Sequence, residues 1–481
     1  MTKRSWLQLC IAIVCLLAAS EARAGRHLEG TWRGTLGEGA GKLRLVLTLA
    51  RSGGDAYSGV IDSIDQGATI PIDKVSLRAN RLTLEVGRVG GAYDGVLGQN
   101  DTRLSGTWRQ GGVAQPLAFQ KDGPGARPPP AERRPAAQLG APLDVEVPIA
   151  PTAFRAGGKQ HLVYELHITN LGGQELTLKR VEALVGGRSL SRRDGLDLAG
   201  SVLRPGVPDA AGWARLRVGP GLRAVVFMWI TLDGAAAIPA GLDHRIVVTA
   251  GDGAAETSLQ AARIAVRSDA LVIGPPLRGG DWVAANGPSH GSGHRRALIP
   301  VGGRAAIAQR FAIDWVRLRP DGRTFAGDQA RNRSYRAYGA EALAVADGVV
   351  VAIVDGIPEN VPGLNSRAVP MTLDTLPGNH VIVDIGRGRF ALYAHLQPRS
   401  LRVKRGDRVR RGQVLGLVGN SGNSTEPHLH FHVTDSPSPL GSEGIPYLLS
   451  SFDTGGGKPG APRRAHRNEL PLENDVVTFR E

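Results

Sequence analysis

Cysteine is almost missing from this chain of 481 residues; the two present, Cys10 and Cys15, both lie in the first stretch. The rest must fold without disulfides, and a metal site in it has to draw on histidine and carboxylate. Aromatic residues are scarce, at 5 %. Beyond the N-terminus no run reaches the roughly 18 apolar residues of a membrane-spanning helix. The formal net charge of +14 comes mostly from arginine spread along the whole chain. It forms no aromatic-interleaved basic patch, so nucleic acid is not the expected partner. An anionic envelope polymer such as peptidoglycan suits the charge, although genomic base content produces the same arginine excess.

What is present begins with a targeting signal. Met1-Thr-Lys-Arg4 is basic, Trp6 to Ala19 is apolar but too short to span a bilayer, and Ala22-Arg-Ala24 has the small-x-small form of a cleavage site. We therefore expect a signal peptide over 1–24, cleaved near Ala24, and an exported protein, periplasmic or secreted. The remaining length, with 65 glycines, is too great for one core. It reads as an all-β, multidomain chain.

Residues 25–121 open with Gly30-Thr-Trp-Arg-Gly34 and nearly repeat it as Gly106-Thr-Trp-Arg-Gln-Gly111. This predicts a small β-barrel closed by its first and last strands, with Trp32 and Trp108 filling its core or stacking on a sugar. A Pro/Arg-rich linker follows at 122–142. Residues 143–270 carry Leu162-Val-Tyr-Glu-Leu-His-Ile-Thr169, Val225-Val-Phe-Met-Trp-Ile-Thr-Leu232 and His244-Arg-Ile-Val-Val-Thr249 between turn signals, the pattern of an immunoglobulin-like β-sandwich. His167 and His244 alternate with apolar neighbours there and read as solvent-facing. The last unit, 271–481, includes a C-terminal tail.

That unit holds the chemistry. In Ser424-Thr-Glu-Pro-His-Leu-His-Phe-His432 three imidazoles alternate along strand-forming residues, which sends His428, His430 and His432 to one face. Two histidines on one pleat can supply a metal ligand and a neighbouring acid/base. In Phe311-Ala-Ile-Asp-Trp-Val316 a lone carboxylate, Asp314, projects from the small-residue face of a strand, and His395 ends the run Phe390-Ala-Leu-Tyr-Ala-His395.

With Val403-Lys-Arg-Gly-Asp-Arg-Val-Arg-Arg-Gly412 and Ala344-Val-Ala-Asp-Gly348 between them, these motifs resemble in order the lysostaphin-type, LytM-like zinc metallopeptidases, over about 280–450. The resemblance implies a LytM-like β-sheet peptidase core, a Zn2+ cofactor, and hydrolysis of peptide cross-links in peptidoglycan or another envelope peptide. It implies Asp314 and His430 as metal ligands and His395 and His428 as the catalytic pair. His432 stands where the family has an acid or amide and reads as a group behind the ligands or at the surface.

One departure matters: Arg310 occupies the place of the family's first ligand histidine, and a guanidinium cannot bind a metal. Either another histidine replaces it or the domain is a catalytically inactive module that binds wall peptide or activates another hydrolase. We expect replacement by His294, at the entry to a strand, with His290 as the alternative. Two insertions, Arg317 to Tyr338 and Gly356 to Pro377, are expected to wall the groove. The front domains would position the peptidase or bind an envelope protein partner.

Overall fold

The computed structural model describes residues 28–37, 42–53, 56–66, 68–122, 141–207, 210–251, 254–363, 367–455 and 463–480. The expected signal peptide and nearly all of the linker lie outside them. Strands dominate, helical elements are short turns such as Gly195–Gly200 and Gly293–Arg296, and among the described residues no helix is long and apolar enough to cross a membrane. The chain is all-β and multidomain.

The front unit is one curled nine-stranded sheet around Leu47, Leu84, Tyr93, Phe119 and the two tryptophans, Trp32 and Trp108. The first and last strands do lie side by side, as expected, while the closure is corrected in two respects. Gly30–Leu36 pairs with Val113–Lys121, which lies between it and the second Gly-Thr-Trp strand, Arg103–Gln110. The reason is local: Gly111 and Gly112, at φ 58° and 82°, form the two-residue turn that folds Val113–Lys121 back on its predecessor. In addition, no ladder joins the edge strands Ala68–Pro71 and Lys74–Arg78. They meet through Ile72 and Asp73, whose N–H groups donate to Gly59 O (3.1 Å) and Glu85 O (2.9 Å).

Two sheets enclose the second core. One is built on Lys159–Asn170 and Arg223–Leu232, the other on Leu176–Val185 and Gly241–Thr249. Alternation divides Lys159–Asn170 cleanly. Leu162, Tyr164, Leu166 and Ile168 face the opposing sheet, while Glu165 and His167 face out and are nonetheless buried. What covers that outer face is the third unit. Val225 and Phe227 pack on Ile307 there, and Arg310 places its guanidinium 2.9 Å from Glu165 and 2.8 Å from Glu443 while donating to Gly444 O at 2.8 Å. The residue that replaces the family's ligand histidine is thus a buried tie between domains.

Neither sandwich histidine faces solvent, against expectation. His167 lies under the third unit, and His244 points between the two sheets, its Nε2 2.7 Å from the Tyr164 hydroxyl. Strand alternation sets sides but cannot tell which side a neighbouring domain will cover.

The third unit is a ten-stranded sheet whose centre runs Gly348–Val354, Asn379–Asp384, Phe390–Leu396, Leu429–Thr434, Ile313–Arg317 and Gly279–Ala285. Ile313, Trp315, Leu429, Phe431 and Tyr393 fill one face of it.

Two stability outcomes follow. Arg310→Leu would leave Glu165 and Glu443 buried without their cation and should cost about 3–5 kcal/mol in denaturant unfolding. An unchanged midpoint would show the tie to be energetically silent. Burial lowers the His244 pKa to about 4, so the unfolded chain takes up that proton first as pH falls. Stability is lost between about pH 6.5 and 4, by at most ~3 kcal/mol for this group. His244→Gln keeps a partner for Tyr164 and does not titrate, so its thermal midpoint should fall less than the parent's over that range.

Candidate metal centre

The register of two antiparallel strands assembles the centre. Asp314 is the direct partner of His430, and Ala285 is the partner of Asp314 on its other side. Cross-strand partners share a face, so the carboxylate and imidazole meet, with His430 Nδ1 2.8 Å from Asp314 Oδ1. The intervening apolar residues go to the core.

His395 reaches this face by breaking the strand rule. Its neighbour Ala394 is the partner of His430, so regular alternation would turn His395 away. Instead its backbone is left-handed, at φ 62°, opposite a register shift between Asn379 and Val381. That conformation is costly for a residue with a Cβ and is held by the surrounding structure. The ring ends 4.8 Å from that of His428 and 5.7 Å from that of His430, centroid to centroid.

Of the two upstream histidines, the structure brings His294 to the centre. Its Nε2 is 3.4 Å from Asp314 Oδ2, and its ring lies 4.8 Å from that of His430. One ligand atom each from His294, Asp314 and His430 lies within 4.8 Å of the others. His290 lies elsewhere, between Ser201 Oγ at 2.9 Å and the Arg295 guanidinium at 3.2 Å. Burial and the arginines around it keep that ring neutral.

Hydrogen bonds select a tautomer at each ring. Carbonyl oxygens accept, so Nδ1–H of His294 donates to Asn286 O (3.0 Å), that of His395 to Ser421 O (2.8 Å) and that of His428 to Glu426 O (2.8 Å). In each, Nε2 is left for chemistry. His430 is reversed, with Nε2 2.9 Å from His432 Nδ1 and Nδ1 toward Asp314. His432 therefore stands directly behind His430. It is buried, and its own Nε2 lacks a hydrogen-bond partner among the described residues.

Burial alone would raise the Asp314 pKa, but His294 and His428, with hydrogen bonds from His428 and His430, hold it well below the usual carboxylate range. His428 is also desolvated, yet Asp314, 3.3 Å from its Nε2, raises its pKa. Burial, helped by the neighbouring rings, drives His395 well down.

The insertions brace this face. Thr324 Oγ1 donates to Glu426 (2.8 Å), Asn420 to Asn332 (3.0 Å), and Asn360 Nδ2 to both Gly422 O and Ser424 O (2.8 Å). They grip the 420–426 loop that sets the His428 tautomer.

Sequence reasoning missed Asn286, whose Nδ2 donates to Asp314 Oδ2 at 2.9 Å while its carbonyl holds His294. The signal was the Asn286-Gly287 dipeptide, a turn marker, and Asn286 does adopt φ 48°.

Comparison with known proteins agrees with the geometry. Peptidase family M23 matches residues 334–441, a stretch that includes His395, His428 and His430 but begins after Asp314. The C-terminal region is a LytM-like M23 domain. This chain is 43 % identical over 56 residues to the peptidoglycan DD-endopeptidase ShyA of Vibrio cholerae, covering 12 % of this chain and 13 % of that protein. It is 40 % identical over 63 residues to the DD-carboxypeptidase/endopeptidase Mpg of Neisseria meningitidis, covering 13 % and 14 %. With the glycyl-glycine endopeptidase ALE-1 of Staphylococcus capitis it shares 44 % over 61 residues, covering 12 % and 16 %. Each alignment thus spans less than a fifth of the relative. His294, Asp314 and Asn286 lie outside the matched M23 stretch.

Asn286 orients two members of the centre, so Asn286→Ala should weaken divalent-metal binding by about 10–100-fold in chelator competition. Unaltered affinity would reduce Asn286 to a turn residue.

Proposed function

We propose that this chain is an exported, zinc-dependent endopeptidase that hydrolyses peptide cross-links of peptidoglycan. The reading is carried by one observation: two imidazoles and one carboxylate converge within 4.8 Å while two further histidines stand beside them. Relatives named as peptidoglycan endopeptidases support the substrate class.

The donor set suits zinc. Three protein groups, with no thiolate, leave one tetrahedral position open, as a catalytic site requires. His294 through Nε2, Asp314, and His430 through Nδ1 would hold the ion. When bound, it supplies Lewis acidity at a carbonyl and a lowered pKa for water.

The remaining work belongs to side chains. His428, its Nδ1–H committed to Glu426 O, presents Nε2 as the atom that takes up the attacking water's proton. His395, held through Nδ1 by Ser421 O, keeps Nε2 as an acceptor able to take a hydrogen bond from the attacking water. His432 fixes His430 through the bond between their rings.

The test is a muropeptide digest by the purified chain, read by mass spectrometry. Cross-linked dimers should disappear, persist under chelator, and disappear again when zinc is restored. His395→Ala and His428→Ala should lose at least about 100-fold in turnover yet keep zinc, whereas His430→Ala, Asp314→Asn and His294→Ala should lose zinc and His290→Ala should not. Intact dimers from zinc-loaded protein would point instead to a binding module.

A further inference from the structure

His294 sits in Gly293–Arg296, a four-residue helix without a side-chain N-cap bond. A single turn cannot hold itself in water. The next residue supplies the anchor. Arg295 is wholly buried and reaches across the domain boundary, donating from Nη2 to Met228 O at 2.7 Å and Tyr164 O at 3.3 Å. Those two residues are register partners on adjacent sandwich strands, so the acceptors belong to the stiffest part of that sheet.

The guanidinium carbon lies 5.2 Å from the Phe227 ring centre and 5.6 Å from that of Trp229. Arg296 follows the same route, 4.9 Å from Phe227, with Nη2 donating to Gly200 O at 2.6 Å. Phe227 also packs on Ile307 across the same boundary, so the turn bearing His294 is fastened to the sandwich beside a shared apolar contact.

We propose that Arg295 is a positioning residue for the metal: by clamping the Gly293–Arg296 turn to the sandwich it fixes the His294 imidazole, making metal affinity depend on the contact between the second and third domains. This rests on His294 being a ligand. Where a ligand rises from the central sheet, as Asp314 and His430 do, the sheet alone orients it. Here the ligand comes from a turn, and the orientation is borrowed from the neighbouring domain.

The experiment uses the full chain and reads Zn2+ affinity by chelator competition, together with the visible absorption of the Co2+ form. The variants are Arg295→Met, Phe227→Leu, His294→Ala and the double variant His294→Ala/Arg295→Met. Arg295→Met should weaken Zn2+ binding by about ten-fold or more and dim the tetrahedral Co2+ bands. Phe227→Leu, altered only on the sandwich, should weaken it by about three-fold and decides the matter if Arg295→Met does not fold. If Arg295 acts through His294, Arg295→Met should add nothing to His294→Ala. Affinity within about two-fold of the parent in a folded Arg295→Met or Phe227→Leu, or fully additive losses in the double variant, would overturn the proposal. Full affinity in His294→Ala would remove the ligand reading itself, a distinct failure that takes the proposal with it.

Discussion

The pairing of Asp314 with His430 across two central strands is the constraint on which the site depends. A one-residue slip between those strands would exchange the polar face with Ile313, Trp315, Leu429 and Phe431, placing indole and phenyl rings where the centre stands. The apolar core therefore enforces the chemistry. Burying those four side chains holds the register, and the register brings the carboxylate and imidazole together.

Around that rigid pair, the other participants are held by less regular means. His395 depends on a left-handed residue and a shifted register, His428 on a loop gripped by two insertions, and His294 on a turn tied to another domain. Each ring spends one nitrogen on a carbonyl or on another imidazole, so tautomer and direction are set before any substrate arrives. The arrangement brings a left-handed residue and cross-domain contacts together at the site.

Arg310 secures the contact between the sandwich and the third unit. Its guanidinium is desolvated, which is expensive, but Glu165, Glu443 and the Gly444 carbonyl meet its donors. The contact joins the sandwich to the strand that bears Asp314. Arg295 does the same for the turn that bears His294, so both arginines secure one domain boundary.

The sequence alone was enough for the all-β, multidomain class, and alternation with motif order put Asp314, His428, His430 and His395 forward together as candidates, because both are local properties. It also offered His294 and His290 as rivals, and it misjudged what lies beneath His167 and His244. Those questions turn on contacts between residues far apart in the sequence, such as His244 with Tyr164, Arg295 with Tyr164 or Arg310 with Glu165. The same holds for Asn286, visible in sequence only as a turn marker and joined to Asp314 once two strands pair. Local patterning determines which face a side chain takes; only tertiary packing decides what covers that face, and therefore which histidine stands beside Asp314.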